Sequence, residues 1–238
     1  MSICNNCKTE ITGKFCSSCG RPKMLKRIDA HYIQHEIEHV LHLEKGILYT
    51  VKELILRPGK RVREFIHEDR NRLVKPIIFI IITSLIYSLI NNYFHIEDQY
   101  VNFNEGKFGM MEKMLTWIQQ HYGYANIIMA IFIAFFLRLF FKSYQYNLFE
   151  LVILLCYLMG VGMLIFAVFA LIEGLTHSKF VSWGGVLGMI YFIWAIGDFY
   201  GRNALNYLKA TGAYILGIIA MYGIIIILGL IFYALFEK

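Results

Sequence analysis

Four of the five cysteines fall within residues 1–19, where Cys4, Cys7, Cys16 and Cys19 spell C-x2-C-x8-C-x2-C. Two adjacent CxxC pairs make a poor disulfide framework, but their four thiolates close a tetrahedron around Zn2+ at about 2.3 Å per bond. Four sulfurs leave no position for water, so such a zinc is structural and not catalytic. Phe15 precedes Cys16 and can cover the site, and Gly20 follows the second pair, where a tight turn often needs positive φ. Residues Lys8–Phe15 between the pairs are long enough for a short hairpin turning near Thr12-Gly13. Lys8, Lys14, Arg21, Lys23, Lys26 and Arg27 make this ribbon basic. No aromatic–basic interleaving forms a stacking platform, which argues against nucleic acid and for protein docking or a folding cap.

A second group with chemical potential follows. His31, His35, His39 and His42 step by 4, 4 and 3 along one helical face, and His35-Glu36-Ile37-Glu38-His39 matches HExxH. In zinc proteases that spacing puts two imidazoles on adjacent turns, with Glu polarising a metal-bound water. The third ligand would have to be His42, one turn from His39 and cramped, or a remote acid. The polar face of a surface helix accounts for the same residues more simply. A secondary metal or pH-sensitive site and a metalloenzyme on His35, Glu36 and His39 are the alternatives.

The elements that carry these residues divide the chain in two. Its 238 residues are 58% apolar and 17% charged, against about 45–50% and about 25% in soluble domains. Residues 1–75 hold most of the charge, and 76–238 are largely apolar. Met1 leads into a cysteine pair without an apolar stretch, so no secretory signal is expected. The reading is a zinc ribbon over 1–27, amphipathic basic interfacial helices over 28–75, and an all-α transmembrane domain over 76–238. Its five spans are placed at about 77–94, 124–141, 148–172, 180–197 and 213–236, each near the roughly 20 residues that cross a bilayer core. With no water in the core, helices satisfy their own backbone groups, so a helical bundle follows.

Asp29–Leu56 reads as one or two amphipathic helices, with Asp29 as N-cap and Arg57-Pro58-Gly59 as the stop. Val62, Phe65, Ile66 and Leu73 make a second amphipathic piece among Lys60, Arg61, Arg63, Arg70 and Arg72, and Pro76 opens the first span. These segments fit a collar on the inner leaflet, apolar side down and basic side toward anionic lipid headgroups.

With the N-terminus inside, only Lys107, Lys113, Lys179 and Lys238 of the 23 basic residues remain outside, while Glu97, Asp98, Glu105, Glu112, Glu173 and Glu237 lie there. That is the positive-inside pattern, and reduced thiols demand the same side. The N-terminus is therefore expected in the cytoplasm and the C-terminus outside. Arg138, Glu150, Asp198 and Arg202 sit near inner helix ends and read as anchors, whereas Glu173 and His177 read as solvated in the second outer loop. Phe108, Met111, Leu115, Ile118 and Tyr122, with Trp117, read as a short helix on the outer surface or a lid. Gly184 and Gly188 form GxxxG, and Gly197 and Gly201 repeat the spacing. Small residues let helices approach closely in lipid; packing within the chain is favoured, with a homo-oligomer as the alternative.

The order of parts resembles a bacterial family of uncharacterised membrane proteins that begin with a short zinc ribbon. The resemblance rests on Cys4-Asn5-Asn6-Cys7, Phe15-Cys16-Ser17-Ser18-Cys19-Gly20, Lys45-Gly46-Ile47, Thr50, Arg57-Pro58-Gly59, Arg63-Glu64-Phe65-Ile66, Arg70 and Pro76. His67-Glu68-Asp69 departs from the more basic stretch with shorter side chains expected there. The resemblance implies a membrane protein of unknown biochemical activity and supplies no catalytic residue; the inner membrane of a bacterial cell is the expected location. The favoured expectation is a non-enzymatic protein that docks a cytoplasmic partner or anionic lipid. A small permease or channel regulated by the ribbon is the alternative, and a metalloenzyme the least favoured.

Overall fold

The computed structural model describes residues 2–3, 9–11, 13, 17–18, 46–70, 72–96, 117–118 and 121–236. The chain divides into two compact units, Met1–Leu41 and His42–Lys238.

In the first unit, β1 (Ser2–Ile3) pairs antiparallel with β2 (Glu10–Ile11), Ser2 opposite Ile11 and Ile3 opposite Glu10. Cys4 and Cys7 fall in sequence between these strands, and the hairpin expected over Lys8–Phe15 lies partly outside the described residues. Cys4, Cys7, Cys16 and Cys19 themselves lie outside the described residues, as do His31, His35, Glu36, His39 and His42.

The second unit opens with two short helices, α1 (Ile47–Leu56) and α2 (Pro58–His67). Pro58 occupies the first helical position of α2, where a missing N–H costs nothing and the fixed φ is already helical. The Arg57-Pro58-Gly59 turn thus stops one helix and starts the next. Pro76 plays the same part for α3 (Pro76–Phe94). Then come α4 (Tyr122–Phe140), α5 (Leu148–Thr176), α6 (Val181–Tyr200) and α7 (Ala204–Phe236). These last five are long and apolar enough to cross a membrane, which makes the chain a multi-pass membrane protein in outline. Their limits shift from the sequence reading mainly at α7, which begins at Ala204 rather than 213 because polar residues of its first turns are helical too. The expected outer helix falls almost wholly outside the described residues; Trp117 and Ile118 are helical.

α5 is the centre of the bundle and packs against α3, α4 and α6, while α7 leans on α4 and α6. More than half of the apolar stretch of α5 is buried within the chain, against 17% for α7. The contacts depend on close backbone approach. A Cβ on Gly217 of α7 would lie 2.8 Å from the Cα of Ile133 in α4, and one on Gly184 of α6 would lie 3.0 Å from the Phe169 side chain of α5. Of the two GxxxG pairs, Gly184 and Gly197 pack inside the chain, against Phe169 and Tyr207, whereas Gly188 is half-buried and Gly201 exposed. Polar groups in the interior find local partners: the Thr83 hydroxyl donates to the Phe79 carbonyl at 2.9 Å, one turn back on α3.

Glu173 corrects the sequence reading. It is 3% exposed, inside α5, and its carboxylate accepts from the backbone N–H of Phe180 and Val181, each at 2.8 Å. A negative group at the start of α6 meets the positive end of that helix dipole. His177, by contrast, is exposed and ends α5 in the left-handed conformation, φ 54°. At the opposite end, Asn147 and Glu150 form a reciprocal capping box at the start of α5, which places Glu150 at a helix end and gives it a capping role.

Candidate functional site

The most highly organised polar cluster lies where α1 and α2 meet the bundle, here termed the collar end. The amphipathic pattern of both helices dictates the contact. Leu54, Val62, Phe65 and Ile66 are buried, together with Leu73 and Val74 of the following segment. The collar helices pack on α5 and α6, so the face that a helix lying free on a leaflet would give to lipid is covered by protein. Leu48, Ile55 and Leu56 remain exposed on α1.

Three hydrogen bonds cross this apolar contact. The Tyr157 hydroxyl of α5 donates to the Val74 carbonyl at 2.7 Å, and the Tyr191 hydroxyl of α6 donates to the Leu54 carbonyl at 3.1 Å. The Val74 N–H donates to the Thr50 hydroxyl at 3.1 Å, joining α1 to the chain entering α3. The Tyr157 ring also stands edge-on to Phe65, centroids 5.3 Å apart. Directional bonds between otherwise apolar surfaces set the helix pair in one register.

The tightest joint is between the start of α2 and the end of α6. The Gly59 N–H donates to the Asp198 carboxylate at 2.9 Å, and a Cβ on Gly59 would stand 2.4 Å from the Asp198 carbonyl carbon and the Phe199 nitrogen. Only glycine permits that approach. The same Asp198 carboxylate accepts from Arg202 Nε at 2.9 Å. In return, Arg63 Nη1 of α2 donates to the backbone carbonyls of Asp198 at 2.8 Å and Phe199 at 2.6 Å. An acid thus meets the positive start of α2, and a guanidinium meets the negative end of α6.

Two further carbonyls at the end of α6 are also occupied. The Tyr144 hydroxyl donates to the Tyr200 carbonyl at 2.6 Å, and Asn206 Nδ2 donates to the Tyr200 and Gly201 carbonyls at 2.9 and 3.0 Å. Carbonyls that a helix end leaves orphaned here accept hydrogen bonds from side chains of α2, the turn after α4 and the first turn of α7. Around them, Phe141 stacks on Tyr200 with centroids 3.8 Å apart, and Tyr146 packs on Phe199 at 4.7 Å. The Tyr200 hydroxyl is buried without a hydrogen-bond partner among the described residues.

On the outer face of the helix pair, Arg61 bridges Glu53 of α1 and Glu64 of its own helix, and Arg72 lies 3.5 Å from Glu64. The hydrogen bond from Arg61 holds the Glu64 carboxyl below the usual carboxylate range, and the same bond raises Arg61. Lys52, Arg57, Lys60, Arg70, Arg72 and Lys75 remain exposed around this network, with Glu68 and Asp69 as the exposed acids.

Of the residues singled out in the sequence, Asp198 and Arg202 come together here, while Arg138 stands exposed near the end of α4. The roles of Gly59, Arg63, Tyr144 and Asn206 were not legible. Arg57-Pro58-Gly59 marked only a turn, and Asp198 only a helix end; no local pattern couples positions so distant in sequence. Among the described residues, no group of three or more His, Cys, Asp or Glu is placed to hold a metal ion. The chemistry the junction performs is capping and clamping.

Residues 44–88 match a family described as a protein of unknown function, DUF3667. The matched stretch contains α1, α2 and much of α3, and thus Thr50, Gly59, Arg63 and Val74 on one side of the junction. Asp198, Tyr144 and Asn206, their partners or neighbours, lie outside it. No curated protein and no solved structure matches the chain.

Proposed function

We propose that this chain is a non-enzymatic multi-pass protein of the bacterial inner membrane, N-terminus in and C-terminus out, whose zinc ribbon docks a cytoplasmic protein and whose basic collar sits against anionic headgroups. The observation that supports the reading best is how the collar is attached. Its apolar face and its helix ends are consumed by the bundle through Leu54, Val62, Phe65, Gly59 and Arg63. What it offers outward is a fixed surface rich in exposed Lys and Arg. A rigid basic surface beside a membrane suits recognition, because little conformational freedom is lost on binding.

For the ribbon, the donor set is the argument. Cys4, Cys7, Cys16 and Cys19 would hold Zn2+ as four thiolates, and the β1–β2 pairing brackets the first pair of them. When bound, the ion would supply folding free energy to a short segment with little apolar core of its own.

The test is made on the full-length chain in detergent. One zinc per chain is expected, lost in Cys7→Ser and kept in His39→Ala; a protein partner should co-purify and be lost on deleting residues 1–27 or in Cys7→Ser. Zinc retained in Cys7→Ser and lost in His39→Ala would overturn the ribbon and favour the HExxH reading. Labelling of the N-terminus from outside intact cells would overturn the topology.

A further inference from the structure

At the collar end, α4 runs into a single 3-10 turn, Lys142–Tyr144, and α7 begins beside it. The Lys209 ammonium of α7 lies 5.6 Å from the Phe141 ring centroid. Arg138 stands one turn before Phe141, and Lys142 follows it directly; both are exposed. The two helices are in close contact here, since a Cβ on Gly212 of α7 would lie 3.3 Å from the Phe140 ring.

These three cations differ from Lys60, Arg61, Arg72 and Arg202, which are held by Glu64, Glu53 or Asp198, and from Lys52, Arg57, Arg70 and Lys75, which belong to the collar segment and not to α4 or α7. Among the described residues, Arg138, Lys142 and Lys209 pair with no carboxylate. The acids on adjoining elements are already engaged, Glu150 in the capping box with Asn147 and Asp198 by Gly59 and Arg202. Arg138 and Lys142 flank Phe141 along the chain and Lys209 stands over its ring, so three positive charges are disposed about one aromatic residue with no carboxylate partner among the described residues. From there the two helices run into the apolar zone with Phe135 and Leu139 exposed on α4, and Leu208 and Leu216 exposed on α7.

We infer that the rim formed by Arg138, Lys142 and Lys209 binds the phosphate head of an anionic phospholipid whose acyl chains lie along α4 and α7. Charge complementarity selects the head, and the adjoining exposed apolar faces select a ligand with tails over a soluble anion. The inference rests on the reading that this end of the bundle lies at the anionic leaflet, but it places the lipid beside α4 and α7 rather than on the collar.

The experiment titrates the full-length chain in detergent with phosphatidylglycerol or phosphatidylcholine and counts bound lipid by native mass spectrometry. Phosphatidylglycerol should bind at least tenfold more tightly than phosphatidylcholine. Arg138→Gln/Lys142→Gln, two exposed substitutions that spare the fold, should weaken it by about 25-fold, and adding Lys209→Gln by on the order of a hundredfold. Lys179→Gln, in the α5–α6 connection at the other end of the bundle, should leave this binding within about twofold. Equal affinity for the two lipids, no loss in the rim variants, or displacement by millimolar inorganic phosphate would overturn the site. Loss in a collar variant, Lys60→Gln/Arg70→Gln/Lys75→Gln, with none in the rim variants would overturn it too, while leaving the collar as the lipid-facing surface.

Discussion

Single residues at the collar end carry more of the architecture than their size suggests. Gly59 is the extreme case, because the atoms facing it are backbone and cannot rotate away. Gly59→Ala is expected to destabilise the protein by about 3 kcal/mol or more, read as a fall in detergent melting temperature, and to loosen α1–α2 in hydrogen exchange. Asp198→Asn keeps the shape and one acceptor, so it should cost less, about 1–2 kcal/mol. A Gly59→Ala protein as stable as the parent would mean that α2 and α6 do not meet as described. Tyr200 offers a test of opposite sign. Its hydroxyl is buried without a partner among the described residues, so Tyr200→Phe should leave thermal stability unchanged or raise it by up to about 1 kcal/mol.

At the scale of elements, the question is what keeps α1 and α2 in place. Part of the answer titrates. Glu64 is held below its ordinary pKa of 4.5 chiefly by the Arg61 hydrogen bond. A carboxyl with a depressed folded pKa stabilises the fold above its unfolded value, and that stabilisation is lost as pH falls through the folded one. Hydrogen exchange in α1 and α2 is therefore expected to be flat from neutral pH to about 4.5, then to rise below it. Glu64→Gln should abolish that rise while exchange in α5 stays unchanged. Among the long helices, α7 depends on Gly217 lying against the Ile133 backbone. Gly217→Val should push α7 off α4 and cost about 2–4 kcal/mol, whereas Ile226→Val, on an exposed stretch of the same helix, should change stability by less than about 0.5 kcal/mol.

For the whole molecule, the unequal burial of the helices implies an order of assembly contacts. α5 is surrounded by α3, α4 and α6, and α1–α2 lean on α5 and α6, so α5 cannot be removed without stranding the rest. α7 is held along one side and at its start, where Asn206 reaches the end of α6. The matched family region, 44–88, supplies one half of the collar junction and the later helices supply the other. A fragment ending before α6 would keep the family region but lose Asp198, Tyr191 and the carbonyls that Arg63 caps. Its collar is expected to exchange as an unfolded segment, checked by comparing that fragment with the full chain.

Much of this was readable in the amino-acid sequence. The five spans followed from uninterrupted apolar stretches near bilayer length, since a helix in lipid needs no partner to satisfy its backbone. Amphipathic character in α1 and α2, the proline starts at Pro58 and Pro76, and a four-thiol donor set are likewise local patterns. What covers an apolar face is not local. The sequence pointed to lipid beneath the collar, and the fold put α5 and α6 there; it pointed to water around Glu173, and the fold put the start of α6 there. Tertiary structure alone decided that Gly59 and Arg63 would meet Asp198, 139 and 135 positions away. A periodicity records that a face must be buried or a charge compensated, but only the packed chain specifies by what.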